Sequence, residues 1–126
     1  MKMLRLLPAA CLCVVAALAA CDDTPVLEVC SGLPVPSVRV RVMEAATSAE
    51  ASVAASGMWV VGERSDSLRH AVPDNGYLYG FGPAGTYTLV VQRPGFVSWS
   101  LYGVEVQPGS CGPATVEVEA RLQNTT

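Results

Sequence analysis

Pro83-Ala84-Gly85-Thr86-Tyr87-Thr88-Leu89-Val90-Val91 holds the strongest strand signal in the chain. Thr86 to Val91 is a run of β-branched, aromatic and aliphatic residues, which suit a pleated, half-buried surface. Gly82 to Gly85 breaks the chain before it, and Pro94-Gly95 turns it afterwards. Working toward the C-terminus, Phe96 to Ser100 and Tyr102 to Val106 read as short strands, and Pro108-Gly109 as a further turn. Thr115 to Leu122 alternates: Val116, Val118, Ala120 and Leu122 face in, while Thr115, Glu117, Glu119 and Arg121 face out.

Toward the N-terminus, Tyr77, Tyr79 and Phe81 alternate with Leu78 and Gly80 after the turn Pro73-Asp74-Asn75-Gly76. Glu63 to His70 is polar and reads as a connector. Gly57 to Val61 reads as a strand. Ala45 to Ser56 has helical propensity but no broad apolar stripe, so in a β context it reads as a loop with a short turn. Ser37 to Val42 alternates, with Val38, Val40 and Val42 on one face and Ser37, Arg39 and Arg41 on the other. About seven short strands between Gly/Pro turns predict an all-β fold, a Greek-key β-sandwich over residues 37–124.

Gly85-x-Tyr87-x-Leu89-x-Val91, then Pro94-Gly95-Phe96, then Gly103-Val104-Glu105-Val106, then the closing alternating strand from Val116, resemble the carboxypeptidase regulatory-like (transthyretin-like) domain. The resemblance covers residues 38–122. It implies a sandwich used as an accessory or adhesion-like module. Its glycines shape turns and its alternating residues fill a core, so the motif implies a fold and no catalytic group. The longer stretch from Ala45 to Gly76 departs from that pattern and leaves its strand order open.

The first residues give an address. Lys2 and Arg5 precede an uncharged, mostly apolar run from Leu6 to Ala20, which ends Leu18-Ala19-Ala20-Cys21. A basic start, a short apolar segment and small residues describe a secretory signal peptide. The run is short for a membrane-spanning helix and carries Pro8. Cysteine after Leu-Ala-Ala resembles the lipobox of bacterial lipoproteins. The resemblance implies residues 1–20 as a cleaved signal, lipidation of Cys21, and residues 21–36 as a lipidated tether. The expected location is the bacterial cell envelope, with the membrane as partner through the lipid anchor.

Beyond residue 20 the chain has six arginines, no lysine and eleven acidic residues, a formal −5. Nucleic acid is not an expected partner, because phosphate neutralisation drives that affinity. With Cys21 committed to lipid, Cys30 and Cys111 remain, and an oxidising compartment pairs them. The bridge would contribute roughly 4–5 kcal/mol in the chain-entropy account. Two distant cysteines and one histidine cannot complete a metal site, and no cofactor is expected.

Ser67 and His70, with Asp66 beside them, are the one constellation that invites a hydrolase reading. They lie on a short polar segment without a nucleophile elbow, so a solvated connector explains them better. The transthyretin-like fold also hosts a purine-pathway hydrolase, but that enzyme's several histidines and Tyr-Arg-Gly-Ser ending are missing here. Glu105, Glu117 and Glu119 read as solvated strand positions. Tyr77, Tyr79, Trp99 and Tyr102 are the candidate binding residues, to be weighed against core filling. The expected function is a non-catalytic binding or structural module whose partner is an envelope protein or a glycan. The alternatives are a small hydrolase using Ser67 and His70, and a carbohydrate-binding module using exposed aromatics.

Overall fold

The computed structural model describes residues 29–125, and the chain there is all-β, without a helix. Ten strand segments form: β1 (Val38–Glu44), β2 (Ser56–Val61), β3 (Arg64–Ser67), β4 (Arg69–His70), β5 (Tyr77–Gly80), β6 (Gly85–Gln92), β7 (Trp99–Val106), β8 (Pro108–Gly109), β9 (Gly112–Pro113) and β10 (Val116–Leu122). Two four-stranded sheets carry the fold, in the orders β10-β1-β5-β4 and β3-β2-β6-β7, called sheets A and B below. The tiny β8-β9 hairpin stands apart. All neighbours pair antiparallel except β1 and β10, which run parallel with Val38 opposite Val116.

Alternation puts one row of each strand inside. Sheet A contributes Val38, Val40, Val42, Leu78, Ala120 and Leu122; sheet B contributes Trp59, Tyr87, Leu89, Val91, Val104 and Val106. These form one cluster, so the sheets share a sandwich core and their burial supplies the main folding drive. The loop after β1 closes one end with small residues: Ala51, Ser52 and Ala55 are buried. Tyr87 is the largest fully buried side chain. Its hydroxyl lies 2.6 Å from the Pro83 carbonyl and 2.8 Å from Ser37 Oγ. A tyrosine bonded to backbone a few residues upstream is a corner device of β-sandwich domains.

Pro108-Gly109, expected as a turn, pairs as β8 while Ser110-Cys111 makes the turn, and three larger details also differ from the expectations. Glu63 to His70 is no connector: β3 lies on the edge of sheet B and β4 on the edge of sheet A. The chain changes sheet at Leu68, 5% exposed, which is the only apolar residue in that run. Leu68 fits because two facing positions lack side chains. A Cβ on Gly57 would come within 2.8 Å of its Cδ1, and one on Gly80 within 3.1 Å of its Cδ2. Second, the two strands expected from Phe96 to Val106 are one, β7. A bulge opposite Thr88 interrupts its pairing between Leu101 and Val104, where Gly103 has φ +73°. The bulge mimics a turn in the residue pattern. Third, Ser37 is fully buried rather than outward, because the chain bends just before β1. There Ser37 Oγ donates to the Gly80 carbonyl (3.2 Å) and accepts from the Gly82 amide (3.2 Å).

Cys30 and Cys111 form a disulfide, with Cα atoms 5.5 Å apart across 81 residues. It joins the strandless segment before β1 to the β8-β9 turn, just ahead of β10. The expected signal peptide (residues 1–20) and the expected lipidation of Cys21 lie outside the described residues.

Candidate functional site

The outer face of sheet A concentrates the polar chemistry. Strand register places Arg39 between Glu117 and Tyr79, and Arg41 between Glu119 and Tyr77. Arg69 on β4 extends the first row beyond Tyr79. Arg39 pairs with Glu117. Its guanidinium also stands over the Tyr77 ring, 4.7 Å from the centroid, and Arg41 lies at 6.0 Å. The Tyr77 hydroxyl donates to Glu117 Oε2 (3.1 Å), and Asn75 Nδ2 donates to the Tyr79 hydroxyl (2.7 Å). Arg41 reaches Glu50 at 3.7 Å, and Arg121 reaches Glu119 at 2.7 Å.

These contacts hold Glu117 below the usual carboxylate range, through the Arg39 hydrogen bond first and the Tyr77 hydroxyl second. The same bond raises Arg39. Both side chains are about half exposed, so solvent screens the pair. The arrangement fixes two tyrosines outward among ordered charges.

The four candidate aromatics do not gather on one face. Tyr77 and Tyr79 share the outer face of sheet A, half-buried, with rings 6.2 Å apart. Trp99 is half-buried against the core at the edge of sheet B. Tyr102, at the bulge, is 74% exposed. Phe81 follows Tyr79 and is 37% exposed.

Ser67 and His70 are not brought together. Ser67 ends β3 in sheet B, while His70 lies on β4 in sheet A, and no hydrogen bond links them. His70 Nε2 lies 2.9 Å from the Ala55 carbonyl, and Nδ1 lies 3.4 Å from Asp74 Oδ2. Asp66 accepts from the Ser67 amide and pairs with Arg69 at 3.4 Å. Asp74 also accepts from buried Ser52 (Oγ, 2.6 Å) and from the Gly76 amide (2.9 Å). The Ser52 hydroxyl, then the Gly76 amide, then His70 lower the Asp74 pKa. In that chain the carboxylate sits between serine and histidine. A nucleophilic triad needs the histidine in the middle.

A groove opens where β4 and β5 meet the segment before β1. It is lined by Pro34, Pro36, Arg69, His70, Ala71, Tyr79 and Phe81. Arg69 and the two prolines fall in the expected connector and tether, where no residue pattern marks them. The groove joins residues far apart in sequence, so no local pattern marks it. Among the described residues no group of three His, Cys, Asp or Glu side chains could hold a metal ion, and no helix is long and apolar enough to cross a membrane. No protein-family model matches the chain, and no curated protein matches it.

Proposed function

We propose that this protein is a membrane-anchored envelope lipoprotein whose β-sandwich is of the carboxypeptidase regulatory-like type and acts as a non-catalytic binding module. The anchor rests on Leu18-Ala19-Ala20-Cys21 behind a short apolar run. Two acyl chains or more would hold it stably on the membrane, where one binds marginally. The family assignment rests on the motif from Gly85 to Val106 and the closing strand.

The observation that carries the binding reading is the outer face of sheet A. Tyr77 and Tyr79 are held outward by Arg39, Glu117 and Asn75, each tied by a side-chain bond or ring contact. Ordered aromatics lose little side-chain freedom on docking and carry much of the energy at interfaces. The hydrolase alternative lacks a comparable constellation, since Ser67 and His70 point to different surroundings.

Two measurements on protein extracted from native membranes test the reading. Mass spectrometry should find lipid on an N-terminal Cys21, and Cys21→Ser should release the protein from the membrane. Capture of an envelope partner should fall with Tyr77→Ala/Tyr79→Ala and persist with Ser67→Ala/His70→Ala. A hydrolytic activity lost in His70→Ala would promote the enzyme alternative instead.

A further inference from the structure

We propose that the groove between Pro34–Pro36 and Tyr79–Phe81 is a binding site for a neutral saccharide. The inference rests on the binding-module reading and names its ligand class. The groove comprises two adjoining depressions of about 360 and 400 Å³, which share Pro34, Arg69 and Phe81. Each lies in the size range of small-ligand sites.

Most of the lining is apolar: Pro34, Pro36, Ala71, Tyr79 and Phe81 contribute to it, two of them aromatic. Sugar C–H faces stack on such surfaces. At the rim Asp66 and Arg69 pair at 3.4 Å while remaining half exposed or more. The carboxylate keeps acceptor sites and the guanidinium keeps donors. Hydroxyl groups can satisfy both, since each donates and accepts.

Charge selects the class further. Arg69 is matched by Asp66, the only carboxylate among the lining residues. The groove therefore presents no unmatched charge to attract an ion. A proline-rich peptide also favours aromatic grooves. Asp66 already accepts from the Ser67 amide and Arg69, and prolines, which carry no N–H, would add no donor to the acceptor sites it keeps.

The proline wall is fixed in advance. The Cys30–Cys111 bridge pins the segment on one side, and the Pro36 carbonyl accepts from Thr115 Oγ1 (2.6 Å) on the other. A wall ordered before binding lowers the cost of ordering it during binding.

The test uses the full-length protein, extracted in a sugar-free detergent with its disulfide intact. Cellotriose, maltotriose, triacetylchitotriose and a proline decapeptide are titrated by saturation-transfer NMR. At least one trisaccharide should bind in the millimolar range or tighter. Phe81→Ala should weaken it about tenfold, the loss expected for one aromatic anchor. Asp66→Asn should also weaken it, and Tyr102→Ala should leave it unchanged. Phe81 and Asp66 are exposed, so an unchanged circular dichroism spectrum confirms that the variants fold. No trisaccharide binding at millimolar concentration would overturn the proposal. So would binding indifferent to Phe81→Ala, or a preference for the proline peptide. If saccharide binding fails while a Tyr79-dependent envelope partner is still captured, the groove assignment falls and the binding-module reading stands.

Discussion

The two sheets bury the same kind of side chain and expose opposite ones. The outer face of sheet A carries Arg39, Arg41, Tyr77, Tyr79, Glu117 and Glu119 in registered rows. The outer face of sheet B carries Met58, Val60, Thr88, Val90, Ser100, Ser65 and Ser67. Its charge is limited to positions such as Glu105, which accepts from Thr86 at its margin (2.7 Å). Inward valine and leucine rows fix the fold on both sides, so the outward rows are free to differ. The difference shows where chemistry was placed: cation, ring and carboxylate sit side by side on A, and uncharged β-formers cover B.

The largest expected effect is at the disulfide, which ties the segment before β1 to the turn ahead of β10. Replacing both Cys30 and Cys111 with serine should cost roughly 4–5 kcal/mol in the chain-entropy account, less if reduced chains keep structure. Chemical unfolding of both forms would measure it. The crossing at Leu68 comes next. Leu68→Ala should cost about 2–5 kcal/mol, because it empties the space between Gly57 and Gly80. Its neighbour Ser67→Ala, on the exposed edge of B, should stay within about 0.5 kcal/mol. Equal losses at 67 and 68 would break the view that one side chain locks the sheets together.

Tyr87→Phe should cost about 1 kcal/mol, the usual net worth of a hydrogen bond, because Ser37 keeps the Gly80 and Gly82 contacts. Thermal unfolding would read it. The smallest effect is in acid. Glu117 on sheet A and Asp74 beside it have pKa values below their unfolded values. Their stabilising contribution is complete above the unfolded carboxylate range, near pH 4. It disappears as pH falls through the lower folded values. Asp74→Asn and Glu117→Gln should therefore flatten the acid limb of a stability–pH curve. A curve with the wild-type slope in both variants would contradict the assignment. Substituting Ser65 or Ser67 on sheet B should leave that slope alone.

The parts of the fold legible in the sequence are those with one face buried. Val38 to Val42, Thr86 to Val91 and Val116 to Leu122 alternate because inward and outward positions face different solvents. Arg64 to His70 showed no alternation because both its strands are exposed edges, and only Leu68 marks the crossing. The bulge at Tyr102-Gly103 shifted the pattern of β7 and looked like a chain break. Tyr77 and Tyr79 were legible as one face. Their surroundings were not, because Arg39 and Glu117 are 78 residues apart and meet only through the parallel pairing of β1 with β10. The groove was equally hidden, since it joins Pro34 to Phe81 across the edge of the sheet.

On the proposed reading, partners dock on the outer face of sheet A. The most direct measurement places a photo-crosslinking amino acid, p-benzoylphenylalanine, at Tyr79 in one variant and at Met58 in another. Both are irradiated in intact cells and the adducts compared on gels. A discrete adduct at position 79 and none at position 58 is the predicted result. An adduct confined to position 58, or none at either position, would contradict the claim.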